Sequence, residues 1–199
     1  MRLVCLFLLF IGYVLTLVTW PFYEQYTYFT NWTMHFTTVS IVLMYNAVNT
    51  VNFKNNLRQI STNHIFYSFA IPLNLIVVSL YWNLIHHKTI GKHREDGPWY
   101  KVVCQYWVHI VPAVCCLINT AISNIVLSRK PVKMYLGAGF AYCMLNYVTT
   151  RIIGEPLYSF MPWVTFMSTF KIVLLLLFFC AIAYLTLCKI DESLKSHLV

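Results

Sequence analysis

The sequence predicts an all-α, polytopic membrane protein with about six transmembrane helices. Three observations predict it. The 199 residues are 59% hydrophobic and only 10% charged, with a mean hydropathy of +0.65, whereas an ordinary soluble domain carries about 25% charged residues. The apolar residues gather into six runs, near residues 3–20, 29–52, 64–86, 101–127, 132–153 and 164–188, each close to the roughly 20 residues that cross a bilayer as a helix. The connections between them hold Pro21, Gly91, Gly97-Pro98, Pro131 and Gly154-Glu155-Pro156, residue types that end helices. Such a composition excludes a soluble globule, a disordered chain and a disulfide-stapled secreted module. No long linker, repeat or low-complexity tract divides the chain, so one transmembrane domain over 1–199 is expected.

The first run imitates a signal peptide, with Arg2 ahead of an apolar core. It lacks a small-x-small cleavage site and ends in Trp20-Pro21, so it is expected to stay as an anchor. The second run opens among aromatic residues and carries hydroxyls along its length. The third is apolar through Pro72 and ends at a Trp, and the fourth starts after Pro98 and carries His109. The fifth holds Asn146 and ends at Arg151, which count against a crossing by composition; the sixth is almost wholly apolar up to Cys188-Lys189. Six crossings put both termini on one side, with Arg2, Lys54, Arg58, Arg129, Lys130, Lys133, Lys189 and Lys195. Lys88, Lys92, Arg94, Lys101, Arg151 and Lys171 fall on the other side. The balance leans toward cytosolic termini.

The net charge of +8 sits in short groups at the ends of apolar runs. There it anchors the chain against anionic headgroups rather than binding nucleic acid. The seven cysteines are scattered within apolar runs without metal-site spacing, and an odd number does not make a disulfide framework. His86-His87 and His93 resemble a metal set only loosely, and a solvated basic loop is the expectation there. Asn31-Trp32-Thr33 is a glycosylation sequon placed too close to the bilayer for ready modification. Arg151 and Glu155, four apart, are spaced to pair. No metal or cofactor is expected.

The polar residues inside the runs carry the functional information, because lipid makes them costly. At about 100° per residue, Thr33, Thr37, Ser40 and Met44 all project within about 80° of Thr30, while His35 projects to another face. In the fourth run Gln105, Pro112, Cys116, Asn119, Thr120 and Ser123 project around His109 in the same way. Each helix therefore has one polar stripe for the protein interior. The aromatic groups Tyr26, Tyr28 and Trp32, and Trp99, Tyr100, Tyr106 and Trp107, mark the headgroup level on one side. They place Thr30 and His109 in one layer, where an imidazole can take a hydroxyl proton and the oxygen can attack an acyl carbon. The competing expectation is a Thr bonded back to a carbonyl one turn earlier and a His serving only to join helices. Asn31, Thr33 and Gln105 are the nearby candidates to assist.

Four strings resemble the androgen-induced-gene-1/FAR-17a family of membrane proteins, which is related to rolling-stone-type proteins. YTYFTNWTMHFTTVSIVLMY (Tyr26 to Tyr45) is similar to the opening of that family's second helix. SFAIPLNLIVVSLYWNL (Ser68 to Leu84), WVHIVPAVCCLIN (Trp107 to Asn119) and GEPLYSFM (Gly154 to Met161) follow in the family's order and spacing. The resemblance implies six spans and a hydrolase of fatty acid esters of hydroxy fatty acids. It puts the nucleophile at Thr30, in Tyr28-Phe29-Thr30, and the base at His109. It further implies a lipid substrate and residence in the endoplasmic reticulum or plasma membrane. The chain departs from the family where it has a single His109 in place of Asn-His-x-x-His-Thr, and Tyr158-Ser159 in place of Tyr-Pro. Two other classes stay open: a non-catalytic structural or lipid-binding subunit of a membrane complex with partners unknown, and a haem-binding subunit using His35 and His109.

Overall fold

The computed structural model of the chain describes residues 1–49, 57–87, 89–90, 97–123 and 125–196. Lys54, Lys88, Gly91, Lys92, His93 and Arg94, named above, lie outside them. Among the described residues all regular structure is helical: α1 (Arg2–Thr19), a short α2 (Glu24–Thr27), α3 (Phe29–Asn49), α4 (Leu57–Leu80) running into a π turn (Tyr81–Ile85), α5 (Trp99–Ala121), α6 (Val132–Ile153) and α7 (Phe166–Leu194). Four stretches are long and apolar enough to cross a membrane: Arg2–Thr19, Thr62–Ile85, Trp99–Ala121 and Phe166–Leu194. The helices α3 and α6, 21 and 22 residues long, fall short in apolarity because of their hydroxyls and amides. The chain forms two compact units, the first ending at Leu127 and the second beginning at Ser128.

In the first unit α3 packs on α4, α1 on α5, and α5 on both α3 and α4. The packing follows from stripes of small or polar residues. On α1, Cys5, Leu9, Gly12 and Thr16 are buried, while Leu3, Val4, Phe7, Phe10, Leu17 and Val18 on the other faces are exposed. Small residues let apolar helices approach closely where water provides no drive to associate. Cys5 and Leu9 meet Met34 and Ile41 of α3 and Cys115 of α5 in one buried cluster. Asn119 of α5 accepts from Arg2 Nε at 2.9 Å. The expected stripes are realised. Thr33, Thr37, Ser40, Met44, Cys116, Asn119 and Ser123 are buried, and Ile110, Val114 and Leu117 of α5 face outward.

Gly12 is where this closeness can be measured. A Cβ there would lie 3.1 Å from Met34 Sδ and 3.3 Å from Trp107 Cδ1, and the Trp107 indole is fixed by donating to the Leu8 carbonyl at 3.1 Å. The branched Gly12→Val side chain therefore overpacks the α1–α5 contact, at a cost of about 1–3 kcal/mol. A thermal melt in detergent should show a lowered midpoint; an unchanged midpoint would mean that α1 does not pack so tightly.

The second unit is a hairpin of α6 and α7 whose connection folds back on it. Gly154 takes the left-handed conformation that ends α6 (φ 81°), which glycine adopts without a Cβ penalty. Trp163, buried and with φ 51°, donates its indole N–H to Asn146 Oδ1 at 2.6 Å and its backbone N–H to Thr169 Oγ1 at 2.9 Å. Asn146, the residue that counted against the fifth run, thus has a partner within the unit. The Tyr184 hydroxyl donates to the Ser128 carbonyl at 2.7 Å, and Arg129 pairs with Glu192.

Several expectations need correction. The fourth run stops at Ala121 rather than 127, and just beyond it the Ser123 hydroxyl accepts the Ile125 N–H, a local bond that competes with helix. The sixth starts at Phe166, capped by Thr165 accepting from Ser168 N–H. It continues to Leu194 through the buried pair Asp191–Lys195, one turn apart at 2.9 Å. Arg151 does not pair with Glu155 but lies over the Tyr147 ring, 5.4 Å from its centroid.

Candidate functional site

Thr30 is the second residue of α3, and its position there decides its chemistry. Thr33, Thr37 and Thr38, deeper in the helix, each donate to a carbonyl one turn back: Thr30, Thr33 and Met34, at 2.8–2.9 Å. That is the usual fate of a hydroxyl in an apolar helix. The extended Tyr28 (φ −93°, ψ 132°) breaks the chain between α2 and α3, so no turn of α3 precedes Thr30. Its Oγ1 lies instead 3.1 Å from Nε2 of His109 on α5. The two residues selected from the sequence are thus brought into hydrogen-bond contact between facing helices.

The direction of that bond follows from the other ring nitrogen. Nδ1 of His109 is 2.7 Å from the Gln105 carbonyl, which can only accept, so Nδ1 carries the proton. Nε2 then presents its lone pair, and the Thr30 hydroxyl donates to it. This is the tautomer required of a base. His109 is buried, and Thr30 is half-buried at the rim.

The nearby candidates take different parts from those expected. Gln105 orients His109 through its main-chain carbonyl, not its side chain. Asn31 is buried and donates Nδ2 to the Glu24 carbonyl at 3.1 Å; Trp32 donates its indole N–H to the Tyr26 carbonyl at 2.8 Å. The two side chains fasten the α1–α3 connection over the first turn of α3. Glu24 sits in that connection near Lys101; its burial pushes the carboxyl above its usual range and Lys101 pulls it back down. Thr37 accepts from Asn74 Nδ2 at 2.6 Å, joining α3 to α4.

Sequence reasoning missed Tyr81. Its ring lies on His109 with centroids 3.5 Å apart and planes 13° from parallel, and it is buried at the first position of the π turn. An aromatic in an apolar run reads as a lipid-facing or belt residue, but Tyr81 continues the buried stripe of Leu73, Asn74 and Val77 on α4; it also opens a π turn, a feature that often occurs at functional sites. His86, expected in a solvated loop, is half-buried in the helical residues after that turn. It packs on Trp82 at 4.2 Å between centroids, and its Nδ1 is 3.3 Å from the Tyr81 hydroxyl.

The haem reading needs His35 and His109 to point at one space. His35 instead stacks on Tyr13 of α1, with Nδ1 2.8 Å from the Tyr13 hydroxyl, while both nitrogens of His109 are engaged as described. Among the described residues no group of His, Cys, Asp and Glu gathers as a metal site. The chain matches no protein-family model, no curated protein and no solved structure.

Proposed function

We propose that this protein is a membrane-embedded lipid ester hydrolase with Thr30 as nucleophile and His109 as base. The observation that carries the reading is the 3.1 Å contact between Thr30 Oγ1 and a His109 Nε2 left free to accept. In acylation, Nε2 takes the hydroxyl proton as Oγ1 bonds to the ester carbonyl carbon. The tetrahedral oxyanion forms beside the N–H of Thr30, in the first turn of α3, where N–H groups lack helical acceptors and the helix dipole is positive. As the intermediate collapses, the C–O bond to the alcohol breaks and the leaving oxygen takes the proton from Nε2. Water then gives a proton to Nε2 as its oxygen bonds to the acyl carbon of acyl-Thr30; the bond from that carbon to Oγ1 breaks, Oγ1 takes the proton back from Nε2, and the fatty acid leaves.

The apolar faces of the helices suit a substrate that arrives from the bilayer, and the resemblance to the androgen-induced-gene-1/FAR-17a family suggests a fatty acid ester of a hydroxy fatty acid. On this reading α3 and α6 are crossings as well, making six, and the chain resides in the endoplasmic reticulum or plasma membrane. Their polar residues are then the reason they fall short in apolarity, since Thr30 and Asn146 both find partners within the protein.

The reading is tested with an alkyl fluorophosphonate on the purified full-length protein. Peptide mass mapping should find the phosphonate adduct on Thr30. An adduct confined to another residue, or no adduct in protein that is folded by its melting profile, would overturn the assignment.

A further inference from the structure

The mechanism just described creates a charge that has to be accommodated. Once Nε2 takes the Thr30 proton, His109 is an imidazolium among apolar helices, where an uncompensated charge is costly. In hydrolases of the Ser–His–Asp type, a carboxylate bonded to the second ring nitrogen orients the ring and stabilises that charge. Here the second nitrogen is taken by the neutral Gln105 carbonyl, so with Nε2 on Thr30 neither nitrogen is left for a carboxylate. What remains of the ring is its two faces.

One face is covered by Tyr81. The centroid separation of 3.5 Å at 13° is a face-on approach, closer than the roughly 4.5–7 Å common for aromatic pairs. Two features hold Tyr81 there: its place in the buried stripe of α4 after Leu73, Asn74 and Val77, and the contact between its hydroxyl and His86 Nδ1 at 3.3 Å. Against a neutral imidazole the contact is ordinary stacking. Against an imidazolium, the electron-rich face of the phenol makes a cation–π interaction. The attraction is therefore larger when the charge is present, and an interaction that strengthens toward the transition state raises kcat.

We propose that Tyr81 is a positioning residue that fixes the plane of the His109 ring and stabilises its imidazolium through the π face, in the role a carboxylate has in other hydrolases. The proposal rests on the Thr30–His109 reading. No bond is made or broken at Tyr81, and the proton that moves stays between Thr30, His109 and the leaving oxygen.

The test uses the full-length protein in detergent with a long-chain p-nitrophenyl ester. Tyr81→Phe is the starting point for a series carrying 4-fluoro-, 3,5-difluoro- and 3,4,5-trifluorophenylalanine at position 81. These rings keep the shape while fluorine withdraws electron density from the face. Turnover should fall stepwise, by about 30-fold across the series, the equivalent of about 2 kcal/mol, with KM and melting midpoint unchanged. A ring that only packs gives a flat kcat. A flat series, in a protein whose turnover disappears in Thr30→Ala, overturns the role of Tyr81 alone. Wild-type protein without Thr30-dependent turnover overturns the role together with the hydrolase reading beneath it.

Discussion

The Thr30→Ala variant is expected to lose ester hydrolysis by roughly 10³-fold or more, because removing a nucleophile leaves only binding and electrostatic assistance. The same change should leave the protein folded. Thr30 is half-buried, in the first turn of α3, and its hydroxyl makes one hydrogen bond to a side chain that keeps its second bond to Gln105. The loss is about 1–3 kcal/mol, because the buried Nε2 is left without its donor. Circular dichroism and a thermal melt in detergent, run beside the hydrolysis assay on one preparation, separate the two effects. Thr30→Ala with wild-type turnover would remove Thr30 from the chemistry whatever its contact with His109.

His109→Gln is expected to lower turnover by at least about 10²-fold, the usual contribution of a positioned base, while the protein remains folded. Glutamine reaches a similar distance and hydrogen-bonds, yet cannot take a proton from a hydroxyl. A histidine that only joins helices would behave in the opposite way: the variant would melt early and keep its specific activity. The pH profile supplies a second criterion. In the wild type, acidification converts His109 to a form with no lone pair at Nε2, so hydrolysis must fall at low pH. A complete absence of any acid limb, down to the lowest pH at which the protein stays folded, would count against a histidine base.

The features that could be read from the sequence were those governed by periodicity. Apolar runs gave the helices, and the stripes of α3 and α5 gave the inward faces, because lipid penalises a misplaced hydroxyl or imidazole strongly enough to pattern the chain. The aromatic belts added depth, which placed Thr30 and His109 in one layer. What escaped was set by single contacts. The Gln105 carbonyl belongs to the backbone and leaves no mark on residue type. Tyr81 looks like any aromatic in an apolar run until its stacking partner is seen, and His86, at the very end of that run, read as solvated because basic residues follow it. Trp163 shows the complementary case: Asn146 read as a flaw in a spanning helix and is the acceptor for a buried indole.

The placement of Thr30 also bears on motion. Helices open from their ends, where local unfolding costs least, and Thr30 stands in the first turn of α3, held down by Asn31 and Trp32 through two side-chain bonds to the preceding connection. His109 sits in the middle of α5, bonded to its own helix. The pair thus joins a residue at a helix end to one in mid-helix, and fraying of that end would part the hydroxyl from an imidazole that stays in place.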